Sequence, residues 1–173
     1  MAKEKLNWED EQVRDTYRHT ASHIMAQAIQ HLWPDTKFAI GPAIDNGFYY
    51  DLESEHKFTE EDFPKIQKEM KKIVQQNLPL VRTEVSREEA LKFFQERNQD
   101  YKVELIRDLP EDAVITLYTQ GDFTDLCAGP HMESTGQIKA FKLMSVAGAY
   151  WRGDSDRAML QRIYATAFPT QEE

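Results

Sequence analysis

Residues 19–51 read HTASHIMAQAIQHLWPDTKFAIGPAIDNGFYYD, and a helical period gives way to a strand pattern within them. Ile24, Met25, Ala28, Ile29 and Leu32 recur at i, i+1, i+4, i+5 and i+8, which lays one apolar stripe along a helix. Asp10 or Asp15 can start that helix, and Trp33-Pro34 ends it, because the residue before proline is pushed out of the helical region. Phe38 to Asp51 then reads as a β-hairpin, with Asn46-Gly47 as its turn and β-favouring residues on both sides.

Thr59-Glu-Glu-Asp62 opens a second helix, with Pro64 tolerated in the first turn and Phe63, Ile66, Met70, Ile73 and Val74 as its stripe. Asn77 followed by Leu78-Pro79 ends it. Leu80 to Val85 reads as a strand, Ser86-Arg-Glu-Glu89 as a capping box for a short helix through Phe94, and Tyr101 to Leu109 as another short helix. After Pro110 strands dominate: Ala113–Tyr118, Phe123–Leu126, Ile138–Met144, Ala149–Trp151 and Leu160–Phe168. The stretch Met159 to Ala167 also allows a helix. Helix, hairpin, helix and then strands predict an α+β domain with helices on one side of a mainly antiparallel sheet. Residues 80–109 are expected to form a small lobe, 1–14 an N-terminal extension and 169–173 a tail.

The chain has 173 residues, long enough to bury a core, and 40% apolar with 29% charged residues places it among globular proteins. A single cysteine rules out an intramolecular disulfide and fits a reducing compartment. The N-terminus lacks a signal-type apolar segment, and no apolar run is long enough to span a membrane, so a cytoplasmic protein without a membrane partner is expected. The net charge of -9 argues against a general nucleic-acid binder. Lys139, Lys142, Arg152, Arg157 and Arg162 against Asp154 and Asp156 nevertheless leave a local +3 beside Tyr150 and Trp151. That stretch is either an RNA contact or a solvated face.

Two short clusters concentrate the chemistry. His19-Thr-Ala-Ser-His23 puts two imidazoles on one helical face, and Cys127-Ala-Gly-Pro-His131 puts a thiol and an imidazole either side of a Gly-Pro turn. Brought together, they form a set that can bind Zn2+ tetrahedrally or carry out acid–base chemistry near neutral pH. Glu does not follow the first histidine, where Thr20 stands, so a zinc-protease motif is excluded. Asp125 lies two residues before the cysteine. His31 and His56 sit in polar surroundings and are expected at the surface. Tyr49-Tyr50 can stack on a base or pack across strands, and Lys102 can place a positive charge near a reacting carbonyl.

These stretches resemble a known family. HTASHIMAQAI (19–29), IGPAIDNGFYYD (40–51), DLCAGPH (125–131), FKLMSVAGAYWRGDS (141–155) and MLQRIYATAF (159–168) are similar to the editing domain of bacterial-type threonyl-tRNA synthetases, the second additional domain. That domain is related to the editing domains of alanyl-tRNA synthetases. The resemblance runs from Asp15 to Phe168 and implies a two-layer α+β fold with a helix-hairpin-helix-hairpin core and a small inserted lobe. It also implies an aminoacyl-tRNA ester hydrolase within a threonine–tRNA ligase, removing serine wrongly attached to tRNA(Thr).

By this resemblance His19 is the water-activating base, and His23 and His131 complete a polar pocket. Lys102 is an oxyanion or ribose contact, Asp125 orients a histidine or binds the amino group, and Cys127 lines the pocket. Tyr50 packs against the terminal adenosine, and Gly129 and Pro130 contact substrate. The partners implied are the 3' end of tRNA(Thr) carrying serine and the remainder of the synthetase. No cofactor is required, although His19, His23, Cys127 and His131 can hold Zn2+, as the alanyl-type set does. Position 128 is Ala where arginine is common in the family, and Ala165 stands where glycine is usual. Nothing resembles the aminoacylation core, its ATP-binding arginine motifs, the anticodon-binding domain or the small ubiquitin-like domain. An excised editing domain is therefore expected over a free-standing factor. The competing readings are a non-catalytic tRNA-binding or structural zinc module, and an alanyl-type editor acting on Ser- or Gly-tRNA(Ala).

Overall fold

The structure is a computed structural model that describes residues 8–168. In chain order its elements are α1 (Glu11–Leu32), β1 (Lys37–Phe38), β2 (Ala43–Ile44), β3 (Gly47–Glu53), α2 (Phe63–Gln76), β4 (Val81–Val85), α3 (Arg87–Glu96), α4 (Asp100–Arg107), β5 (Ile115–Gln120), β6 (Phe123–Leu126), β7 (Ala140–Tyr150) and β8 (Met159–Phe168). The expected tail, 169–173, lies outside the described residues, as do residues 1–7 of the expected N-terminal extension. Glu11 to Arg14 of that extension form the first turn of α1.

The helix-hairpin-helix-hairpin core is α1, the β2–β3 hairpin, α2 and the β7–β8 hairpin. A five-stranded antiparallel sheet runs in the order β1-β3-β8-β7, with β2 also pairing β3. Asp10 caps α1, its carboxylate accepting from Gln12 N at 2.9 Å. The hairpin turn is Asp45-Asn46, with Ile44 opposite Gly47 and Asn46 at φ 65°. Gly47 is needed for a different reason: a Cβ there would lie 2.3 Å from Ala165 O on β8. The stretch 138–151, expected to hold two strands, contains the single strand β7, which stays paired to β8 through a register shift at Met144. β8 is a strand and not a helix, because it lies between β3 and β7 and pairs with both.

Burial on α1 differs from the sequence expectation. Every residue from Thr20 to Ile29 is buried, so the helix has no solvent face along this length. One side packs on β2, β3 and β8, α2 lies alongside, and β6 approaches from another side. Polar Thr20, Ser22, His23 and Gln27 are therefore inside the protein.

β4, β5 and β6 form a second, three-stranded antiparallel sheet. One of its faces meets α3 and α4 through a core of Ala90, Phe94, Val103, Ile106, Ile115 and Leu117. Residues 80–109 thus share their core with β5. The other face turns Phe123 and Asp125 toward α1, where Gln120 Nε2 donates to Gln27 Oε1 at 2.7 Å. This arrangement carries α4, and Lys102 with it, to the back of the α1 histidines.

Candidate active site

α1 and the loop after β6 bring the two clusters into contact. Cys127 Sγ lies 3.4 Å from His19 Nε2 and 3.1 Å from His131 Nε2. The His19 and His23 rings are 5.0 Å apart, and His131 sits 4.3 and 4.2 Å from them. One donor atom from each of His19, His23, Cys127 and His131 lies within 4.8 Å of all the others. The Cys127/His131 half is built by a tight turn and not by a helix. Gly129 stands at φ +77°, a Cβ there would meet Tyr118 Oη at 2.3 Å, and Gly129 N donates to Cys127 Sγ at 3.2 Å.

Behind this set lies a buried charged network. Asp125 accepts from Tyr50 Oη at 2.6 Å, and its Oδ2 is 3.2 Å from His23 Nε2. Lys102 Nζ makes a close ion pair with Asp125 Oδ1 at 2.6 Å, off the line of a well-directed hydrogen bond. It donates properly to Ala39 O at 2.6 Å and Tyr50 Oη at 2.9 Å. In this arrangement the Lys102 ammonium faces Asp125, Ala39 and Tyr50, so any contact with a substrate oxygen must displace one of these partners. Tyr50 is fully buried with its hydroxyl engaged on both sides, which leaves its ring no open face for an adenosine.

An open cleft of about 1010 Å³ runs along the front of the set. Asp10, Asp15 and Thr16 of the α1 N-terminus form one wall, Ile40 to Ala43 a second, and Cys127 to Pro130 a third. His19 is half-buried at this wall and His23 is buried behind it. Burial lowers the pKa of all three imidazoles, for His19 partly offset by the Asp125 charge, so each is neutral at pH 7. Burial pushes the Cys127 thiol up to about 12. At neutral pH the set is three neutral imidazoles and a protonated thiol, which suits base chemistry and not thiolate attack.

The same residues fit a borderline cation. Histidine nitrogens and a thiol are Zn2+ donors, and His23 Nδ1 is buried with no hydrogen-bond partner.

Several side chains that position the site had little sequence signal. Thr20 touches both His131 and Met132 N, yet in sequence it is only a threonine inside a helix. Gly41 lets its loop close over Tyr50, because a Cβ there would lie 2.2 Å from the ring. The three arginines of the basic stretch from Lys139 to Arg162 are engaged with carboxylates. Arg162 makes a two-pronged bond to Asp51 at 2.8 and 2.9 Å, Arg157 pairs with Glu104, and Arg152 pairs with Asp108. Tyr49 packs across strands on Tyr164. His31 and His56, expected at the surface, are half-buried: His31 bridges Glu69 and Asp122, and His56 stacks on Trp33 at 4.6 Å.

Residues 115–164, which carry β5, β6 and the β7–β8 hairpin, match the family described as "Threonyl and Alanyl tRNA synthetase second additional domain". The α+β frame and the His/His/Cys/His set agree with that match, and relatives aligned along nearly the whole chain place it in that family. Within it the chain is of the threonyl kind. It is 63% identical over 166 residues to a threonine–tRNA ligase of Syntrophomonas wolfei subsp. wolfei, 62% over 168 to that of Acetivibrio thermocellus, and 60% over 170 to that of Clostridium novyi. These alignments take in 96%, 97% and 98% of this chain but 26%, 26% and 27% of the relatives. The chain therefore spans about a quarter of the length of the ligases it matches. Among the described residues no helix is long and apolar enough to cross a membrane.

Proposed function

We propose that this domain is an editing hydrolase that cuts the ester joining serine to the 3'-terminal ribose of tRNA(Thr). The observation that carries this reading is the placement of His19, a neutral imidazole half-exposed at the wall of a cleft and backed by the buried polar group of His23, Asp125, Lys102 and Tyr50. The need is physical. Serine is threonine without a methyl group, and one carbon is worth only about 1–3 kcal/mol of discrimination, so a smaller amino acid has to be removed at a second site.

In this reading His19 takes a proton from water as the water oxygen bonds to the ester carbonyl carbon. The tetrahedral intermediate collapses with loss of the ribose oxygen, which His19 reprotonates, releasing serine and the ribose hydroxyl. Asp125 and Lys102 act from behind: the carboxylate holds the His23 ring, and the ammonium holds the carboxylate. Asp10 and Asp15 at the rim suit the α-ammonium of an aminoacyl group and oppose phosphate. Tight tRNA binding is therefore assigned to the remainder of a ligase, in a reducing, cytoplasmic setting. Zn2+ held by His19, His23, Cys127 and His131 would supply Lewis-acid polarisation of the ester carbonyl. The base role given to His19 needs no metal.

The test is single-turnover deacylation of Ser-tRNA(Thr), Thr-tRNA(Thr) and Ser-tRNA(Ala) by this chain, before and after chelation. Loss of serine from tRNA(Thr) alone is expected, unaffected by chelation, with a folded His19→Ala variant slower by about 10²–10⁴. Absence of hydrolysis at saturating protein would refute the hydrolase reading of this chain. Sensitivity to chelation would assign the chemistry to a metal.

A further inference from the structure

Thr20 lies between the two α1 histidines, fully buried, and its hydroxyl is committed on three sides. Met132 N donates to Oγ1 at 2.9 Å, and Oγ1 donates to Thr16 O, one turn back, at 2.9 Å. The third contact is His131 Nδ1 at 3.0 Å. A hydroxyl has one hydrogen and two lone pairs. The hydrogen is on Thr16 O and one lone pair takes the Met132 N–H, so only a lone pair is left for His131. With the hydroxyl turned to Thr16 O, Nδ1 carries the hydrogen. A neutral imidazole has one N–H, which leaves Nε2 bare, and Nε2 is the atom facing Cys127 Sγ at 3.1 Å.

His23 shows the complementary arrangement. Its Nε2 lies 3.2 Å from Asp125 Oδ2, and its Nδ1 is buried without a partner. The Thr20 hydroxyl, an outer acceptor, thus turns the bare nitrogen of His131 toward Cys127. We propose that Thr20 is a positioning residue that locks His131 in its Nδ1–H tautomer and so sets the direction of the hydrogen bond between His131 and the Cys127 thiol. The consequence for catalysis rests on the cleft being the hydrolytic site; the tautomer itself does not.

The experiment is two-bond proton–nitrogen correlation NMR on 15N-histidine-labelled chain at pH 7.5, with Thr20→Ser and Thr20→Val alongside. Wild type and Thr20→Ser are expected to show His131 with Nδ1 protonated and Nε2 bare. Thr20→Val, lacking the acceptor, is expected to move most of His131 to the Nε2–H form. Ser-tRNA(Thr) deacylation should fall about 10- to 100-fold in Thr20→Val and stay within about threefold of wild type in Thr20→Ser. An Nε2–H tautomer in wild type, or an unchanged tautomer in Thr20→Val, overturns the proposal. If Thr20→Val does not fold, Thr20→Ala, which also lacks the acceptor, replaces it in the same spectra with the same expected shift to the Nε2–H form. Correct tautomers without hydrolysis by any form would sink the hydrolase and leave the Thr20 assignment standing.

Discussion

Replacing Asp125 by Asn asks whether the buried ion pair holds the back of the site. Asp125 is 2% exposed and Lys102 3%. The carboxylate takes a hydrogen bond from Tyr50, lies 3.2 Å from His23 and faces the ammonium at 2.6 Å. Asn keeps the shape but removes the charge, and its amide must turn two hydrogens toward groups that are themselves donors. The ammonium is left with Ala39 O and Tyr50 Oη as neutral partners where bulk water does not reach. Removing one member of a buried pair costs about 3–5 kcal/mol. A domain this size holds about 5–15 kcal/mol in total, so the variant should keep its fold with much of its margin gone. At about 2–4 °C per kcal/mol the melting temperature should drop by about 6–20 °C. Adding Lys102→Met removes the stranded charge, so the double variant should lose less than the sum of the singles, with a coupling of about 2 kcal/mol or more. Urea unfolding of the four proteins by circular dichroism measures both quantities. A loss under about 1 kcal/mol for Asp125→Asn, or strict additivity, would refute the view that this pair is closed to water.

Three further perturbations test other parts of the structure. Burial lowers the pKa of His31, but hydrogen bonds to Asp122 and Glu69 outweigh this and leave it raised, and Asp122 is correspondingly lowered. The stabilisation from His31 is then complete below its unfolded pKa and disappears as pH rises through the folded value, whereas that from Asp122 fades as pH falls through its own lowered value. His31→Gln should therefore cost about 0.5–1 kcal/mol at pH 5.5 and almost nothing at pH 9, discounted for solvent exposure and read from urea midpoints; equal losses at both pH values would contradict it. Gly129→Ala combines φ +77° with a Cβ 2.3 Å from Tyr118 Oη, and should cost about 1–3 kcal/mol in thermal unfolding while slowing deacylation by displacing Cys127; a wild-type melting curve would show that the turn is not constrained. Arg162→Met strands Asp51, which is 3% exposed, and uncovers the Tyr49 ring that the guanidinium overlies at 3.9 Å. A loss of about 2–4 kcal/mol is expected, recovered in part by Asp51→Asn, and a neutral effect would place Asp51 in contact with water.

Regular elements were legible wherever one periodicity ran unbroken. The α2 stripe and its Thr59–Asp62 entry are in place, with Asp62 Oδ2 accepting from Thr59 N at 3.0 Å, as is the Ser86–Glu89 capping box of α3. The continuity of β7 lies outside local propensity, which does not register pairing: a shifted register at Met144 keeps the strand paired to β8 along a stretch that its sequence divides. In the site, the spacing of His19 and His23 and of Cys127 and His131 gave the donor set. The roles of Lys102 and Tyr50 were not legible, since whether an ammonium or a phenol is free or engaged depends on partners distant in sequence.

The sequence by itself determined which residues could bear chemistry and which segments were helix or strand, because spacing and capping act over a few neighbours. Only the tertiary structure decided that α1 is enclosed on every side from Thr20 to Ile29, that the arginines of 152–162 are neutralised by Asp51, Glu104 and Asp108, and that Lys102 spends its charge on Asp125. Burial and electrostatic pairing are properties of surfaces meeting in space. Contacts such as Lys102 to Ala39 or Thr20 to His131 span 63 and 111 residues, beyond the reach of any local pattern.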